Sequence, residues 1–216
     1  MKLSVVVPIC GDPIERILST FEAVLDLGGV EIIIVDSDSG HTSTVTDAST
    51  RAGHGAERGG DGVRYMYVNT ESRGARLQMG IDAAKGAVVL LHHPRSVIDP
   101  HGIRWLYDKA QLHKESTKET ETKDWWGGFT HQFDNDNDGN GNTMGISNRP
   151  IISTHWLLRF TSWYSNTIRS RPRSILFGYG NILYLDHCIF FTRAALTRPI
   201  PPVQIFEDTE LSMILR

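Results

Sequence analysis

Apolar residues along this chain follow two rhythms. Residues 3–7 form an unbroken, β-branched run that meets Pro8, and residues 30–35 form a second run, stopped by Asp36-Ser37-Asp38-Ser39-Gly40. Short continuous apolar runs bounded by turn residues suit strands buried on both faces. Between them Ile14, Ile17, Leu18, Phe21, Val24 and Leu25 recur at helical spacing. Asp12-Pro13-Ile14-Glu15 supplies a helix start, with Asp12 as N-cap, Pro13 at the first helical position and Glu15 three residues after the cap. Gly28-Gly29 closes the helix. Strand, helix and strand in this order predict a right-handed βαβ unit and a parallel sheet.

The alternation continues. A glycine-rich, charged loop over 53–62 precedes a short strand at 65–68, a helix over 74–85 closed by Gly86, and a third apolar strand at 87–91 that ends in His92-His93-Pro94. Pro100 opens a helix running to about 113, followed by a solvated, charged stretch to 124. A strand is expected at 126–133, a polar insertion at 134–145, and a helix over 154–170 carrying Trp156, Phe160, Trp163 and Ile168. A short strand at 189–191 and a last helix from 208 complete the pattern. No internal repeat is visible. Residues 1–98 therefore read as a doubly wound half, in which ligands bind outside the carboxyl ends of the strands. The polar clusters 8–12, 36–40 and 92–96 all fall there.

Composition narrows the partners. The chain has 216 residues, of which 40% are hydrophobic and 22% charged, so a sizeable core is feasible. A net charge of -3 gives no basic footprint for nucleic acid. Cys10 and Cys188 are too few for a disulfide framework and point to a reduced compartment. That favours the cytoplasm, free or peripheral at a membrane. No apolar run is long enough for a transmembrane segment, and residues 1–8 read as a strand rather than a signal peptide. The helix from 208 carries no stop signal and reads as cut short. Only Gly11 follows the first strand, so no dinucleotide or P-loop fingerprint is present.

Several motifs in order resemble a family 2 glycosyltransferase of GT-A fold. The closest branch is the one labelled transferase 2, associated with radical-SAM and selenoprotein clusters. Ser4-Val5-Val6-Val7-Pro8 is similar to its opening strand, and Ile32-Ile33-Ile34-Val35-Asp36-Ser37-Asp38-Ser39 to its strand ending in an acidic nucleotide-binding turn. Arg73-Gly74-Ala75-Arg76-Leu77-Gln78-Met79 resembles its arginine-rich helix start, and Gly80-Ile81-Asp82-Ala83-Ala84-Lys85-Gly86 the segment before its metal strand. Gly127-Gly128-Phe129 and Tyr184-Leu185-Asp186-His187 resemble acceptor-side motifs. Glu207-Asp208-Thr209-Glu210-Leu211-Ser212 resembles the Glu-Asp catalytic motif.

The resemblance implies one GT-A domain over 1–216. It would be a Rossmann-like, mostly parallel sheet flanked by helices, with residues 1–98 binding the nucleotide and a smaller acceptor-side part in 99–216. It also implies inverting transfer of a sugar from a nucleoside diphosphate sugar to the hydroxyl of a glycan, lipid or small-molecule acceptor. Such a reaction needs a general base, a donor site and positive charge on the leaving diphosphate. The family pattern assigns Asp208 as base with Glu207 in support. It assigns Pro8, Asp36, Asp38, Arg73, Arg76 and His93 to the nucleotide sugar, and Asp186 and His187 to the acceptor; Arg95, where the family carries an acid, is read from its charge as contacting the diphosphate in place of a cation. Structural alternatives stay open: first-turn acids complement a helix dipole, Asp36 and Asp38 can shape a turn, and arginines can line a solvated helix face.

A divalent cation, Mg²⁺ or Mn²⁺, is expected of the family. Here its two acidic positions fall on His93 and Arg95, and a guanidinium does not ligate a metal. His93 is then the remaining metal candidate. Two further readings follow: a non-catalytic nucleotide-sugar- or protein-binding relative, and a calcium-responsive protein. The last rests on Asp134-Asn135-Asp136-Asn137-Asp138-Gly139, an EF-hand-like start whose twelfth position is Gly145 instead of Glu.

Overall fold

The computed structural model describes residues 2–38, 62–116, 124–129, 163–164, 188–204 and 207–215. The chain divides into two compact units, residues 1–129 with 183–216, and residues 130–182. In the second unit only Trp163 and Tyr164 are described, and they are helical. The insertion at 134–145 with its calcium-like loop, and Asp186 and His187, lie outside the described residues.

The first unit is built on a six-stranded sheet of order β3-β2-β1-β4-β6-β5. Its strands are β1 (Leu3–Ile9), β2 (Val30–Asp36), β3 (Gly62–Tyr67), β4 (Val88–Leu91), β5 (Trp126–Gly127) and β6 (Phe190–Thr192). β1 to β4 are mutually parallel, and β6 runs antiparallel to both β4 and β5. β1 lies between β2 and β4, so the connections leave it in opposite directions. That is the switch point at which a ligand crevice opens.

Among the described residues, four helices cover the sheet: α1 (Ile14–Leu25), α2 (Arg73–Ala83), α3 (Pro100–Ser116) and α4 (Glu207–Ile214). Alternation sorts the strand residues by face. Val5, Val7, Ile9, Ile32, Ile34, Val88 and Leu90 join Ile17, Phe21 and Val24 of α1 and Ile103, Leu106 and Ala110 of α3. Val6, Ile33, Val35, Val89 and Leu91 join Leu77 and Ile81 of α2 and Leu211 of α4. Both faces are apolar, which is why these strands read as continuous hydrophobic runs.

Several boundaries differ from the sequence expectation: the helix over 74–85 is Arg73–Ala83, and the strand expected at 126–133 is Trp126–Gly127 among the described residues. β1 runs through Pro8 to Ile9. Its even residues point their backbone groups at β4, since Lys2 and Val6 carbonyls accept from Val88 and His92 amides. β4 ends opposite Val6, so Pro8 lacks its N–H where no partner strand remains. Pro13, not Asp12, stands at the N-cap of α1, with no side-chain cap bond. Asp12 instead accepts the Cys10 amide at 3.2 Å. β3 starts at Gly62, earlier than expected, and pairs with β2 along its whole length.

Candidate functional site

The ends of β1, β2 and β4 meet at the switch point. Gly11 follows β1 with φ +74°, and a Cβ there would stand 3.3 Å from Asp38 Oδ2. The turns after β1 and β2 therefore touch, and the left-handed backbone favours glycine at the contact. From β4, Arg95 Nε reaches to 3.7 Å from Asp12 Oδ1, with the Arg95 side chain 66% exposed. A guanidinium and two carboxylates, Asp12 and Asp38, thus stand beside the turn that follows β1, a strand in which Pro8 is buried.

Asp36 closes β2 and has no exposed surface. Its Oδ1 accepts the Asp38 amide at 2.9 Å, which shapes the acidic turn. Its Oδ2 accepts the Tyr65 hydroxyl at 2.6 Å. Burial, and then the Asp36 carboxylate beside it, push the Tyr65 hydroxyl well above its ordinary range, so it stays a donor. Asp38 is half-buried and is the member of the pair that keeps exposed surface. Tyr65 is the residue that sequence reasoning misses. Register places it opposite Ile34, and its ring leans forward to reach Asp36.

The histidines after β4 take different roles. His92 is fully buried. Its ring meets Phe21 of α1 edge-on at 5.0 Å, and its Nδ1 lies 3.4 Å from Cys188 Sγ. His93 is half-buried, and its Nδ1 accepts the Arg95 amide at 3.3 Å. A neutral ring so bonded carries its proton on Nε2 and is a donor there rather than a ligand. Arg95, two residues on, carries a guanidinium, which cannot ligate a cation. Among the described residues no group of three or more His, Cys, Asp or Glu side chains is placed to hold a metal.

Of the two arginines of α2, Arg76 turns away from solvent, while Arg73 keeps 34% of its side chain exposed. Ser72 caps the helix by accepting the Ala75 amide at 3.1 Å. Arg76 is buried and donates to Ser37 Oγ at 2.6 Å and to the Thr70 carbonyl at 3.2 Å. Arg73 forms an ion pair with Glu207, whose side chain is fully buried. Asp208 is buried beside it in the first turn of α4, with Oδ1 accepting the Thr209 amide at 2.7 Å.

No protein-family model matches this sequence, and no curated protein matches it either. Solved structures do. TarS 1–349 of S. aureus superposes with a TM-score of 0.61 at 14% identity over 100% of this chain and 55% of that one. The same protein in complex with UDP gives 0.60 at 16%, over 99% and 54%. In complex with UDP-GlcNAc it gives 0.56 at 13%, over 99% and 54%. This chain therefore spans about half the length of the TarS 1–349 structures that it matches. At this identity the likeness is one of fold. The chain has a GT-A-type fold, a mostly parallel α/β sheet flanked by helices. No helix among the described residues is long and apolar enough to cross a membrane.

Proposed function

We propose that this chain is the donor-binding and catalytic part of an inverting family 2 glycosyltransferase that works without a resident cation. The observation that carries the reading is the meeting of three strand ends at the switch point. There Asp38 lies against Gly11, and Arg95 reaches Asp12 in the same turn. The fold shared with a protein solved in complex with UDP and UDP-GlcNAc supports a nucleotide sugar as donor. In this reading Asp38 accepts hydrogen bonds from the base or ribose, Asp36 sets its turn, and Pro8 floors the crevice. His93 and Arg95 face the diphosphate, and Arg95 supplies the charge that a metal supplies elsewhere.

The acceptor oxygen attacks the anomeric carbon as the bond to the diphosphate oxygen breaks. Asp208 takes the acceptor's proton, and the nucleoside diphosphate leaves with the bonding pair. Asp186 and His187 keep their acceptor-side assignment from the sequence. The test is titration with UDP, CDP and GDP, with and without chelator, followed by hydrolysis of UDP-GlcNAc and related sugars. Binding that survives chelator and falls in Arg95→Gln is expected. Turnover lowered by roughly 10²–10⁴ in Asp208→Asn, with binding retained, is also expected. Strict dependence of binding on Mg²⁺ or Mn²⁺ would sink the metal-free mechanism.

One observation favours a second reading, a non-catalytic nucleotide-sugar-binding relative: Asp12 already answers the charge of Arg95. Binding without turnover across the panel selects it.

A further inference from the structure

Two arginines one turn apart on α2 reach in different directions. Residues three apart on a helix share a side, yet Arg76 donates to Ser37 Oγ in the turn after β2, at 2.6 Å. Arg73 pairs instead with Glu207 at the start of α4. Each guanidinium has a protein partner, and the Arg73 side chain keeps about a third of its surface exposed. Arg76 also holds the Thr70 carbonyl at 3.2 Å, and the carboxylate that Arg73 meets has no exposed surface.

The start of α2 is clamped as well. Ser72 Oγ donates to the Val203 carbonyl at 3.0 Å, and the Gly74 amide donates to the same oxygen at 3.2 Å. A Cβ on Gly74 would stand 2.5 Å from the Pro201 carbonyl oxygen, so nothing larger than glycine lets the segment before α4 come this close. The Ala75 amide goes to Ser72 Oγ, and the Arg76 amide to the Ser72 carbonyl. The Gly74, Ala75 and Arg76 amides thus go to protein acceptors, and each arginine has a protein partner.

We propose that the first turn of α2 is a coupling bar between the nucleotide turn and the catalytic helix. Arg76 holds Ser37, and with it the turn between Asp36 and Asp38. Arg73 holds Glu207 and thereby sets Asp208, its neighbour in sequence. Arg73, Arg76 and Glu207 are positioning residues in this assignment, not ligands of the phosphates or of the acceptor. The inference rests on the proposed donor site, and it adds that occupancy of the acidic turn is felt at α4.

The experiment uses the full chain and whichever of UDP, CDP and GDP binds it. Amide hydrogen exchange of residues 207–214 is followed with and without that nucleotide, in the wild type and in Arg73→Met, Arg73→Lys and Glu207→Gln. In the wild type, saturating nucleotide is expected to slow exchange across 207–214 at least threefold. In Arg73→Met the dissociation constant stays within about twofold, because no phosphate contact is lost, while the slowing disappears. Arg73→Lys, which folds with the charge kept, restores part of it. A role in stability alone would speed exchange equally with and without nucleotide, leaving their ratio unchanged, and would overturn the coupling. A tenfold or greater loss of nucleotide affinity in both Arg73 variants would make Arg73 a phosphate ligand and also overturn it, with the donor site intact. A wild type that binds none of the three nucleotides removes the donor reading, and the coupling with it.

Discussion

The Tyr65 hydroxyl donates to Asp36 Oδ2 at 2.6 Å, from β3 to the end of β2. Asp36 has no exposed surface, and Tyr65 is half-buried. The bond therefore supports a charge held away from water, where hydrogen bonding is needed to offset desolvation. Tyr65→Phe leaves that oxygen short of a donor. We expect a loss of about 1–2 kcal/mol in urea denaturation, together with weaker nucleotide binding as the acidic turn loosens. The pH dependence has a definite sign. The folded state raises the Tyr65 value, so it favours the neutral phenol. This contribution is complete below about pH 10, the ordinary tyrosine value, and is lost as pH rises towards the folded value. The wild type should lose stability more steeply than Tyr65→Phe above about pH 10, and equal slopes would refute the assignment.

Arg95 Nε and Asp12 Oδ1 lie 3.7 Å apart beside the turn that follows β1. With the arginine side chain 66% exposed, the pair is screened and weak. A diphosphate entering the crevice competes with Asp12 for the guanidinium. Asp12→Asn removes both the competitor and a negative charge near the phosphates. Affinity for UDP should rise about two- to fivefold, the range an exposed pair commands, and the gain should shrink at high salt. Calorimetric titration at two ionic strengths measures it. Weaker binding in Asp12→Asn would mean that Asp12 holds Arg95 in place rather than competing for it.

The sheet is legible in the sequence because β1, β2 and β4 are buried on both faces and so become uninterrupted apolar runs. β3 is harder to read. It is an edge strand carrying Arg64 and Tyr65, and its first half resembles the loop before it. Pro8 also misleads, because the sequence does not say that β4 stops before it. Asp36 and Asp38 are marked by their place at a strand end. Tyr65 is not, since its partner depends on the β2–β3 register. The Arg73–Glu207 and His92–Cys188 contacts join residues far apart in the chain, and no local pattern announces a tertiary pairing. Their residue types suggest chemistry, and the fold supplies the partners.

Gly80 shows how closely α2 lies on the sheet. A Cβ there would run into Val6 Cγ1 of β1 and stand 3.2 Å from Val35 Cγ2 of β2. Two effects oppose each other in Gly80→Ala. Alanine favours the helix interior by about 1 kcal/mol, and overpacking costs about 1–3 kcal/mol. Val6 and Val35 are fully buried, so the shift must be taken up inside the packed core and overpacking outweighs the helix gain. The substitution should destabilise the protein in thermal or urea melts despite the better helix former. Gly80→Ala combined with Val6→Ala should be more stable than the sum of the single changes allows, because each relieves the other. Strict additivity would place the clash elsewhere.

At the opposite end of the sheet from the crevice, Glu31 is 1% exposed at the start of β2. Its Oε1 accepts Ser4 Oγ and the Lys85 amide, both at 2.6 Å, and its Oε2 pairs with Arg64 at 3.0 Å. Ser4 Oγ in turn accepts the Gly86 amide at 2.7 Å. One carboxylate thus ties together β1, β3 and the link from α2 to β4. Glu31→Ala strips three partners at once in a buried setting and should cost about 3–5 kcal/mol. Glu31→Gln keeps a carbonyl oxygen for Ser4 and Lys85 and loses only the charge facing Arg64. The Arg64 side chain is 39% exposed and can turn to water, so the cost should drop to about 1–2 kcal/mol. Neither carboxylate oxygen faces the strand ends that form the crevice. Glu31→Gln should therefore leave the UDP dissociation constant unchanged while lowering the urea midpoint. A loss of affinity matching the loss of stability would tie this knot to the site.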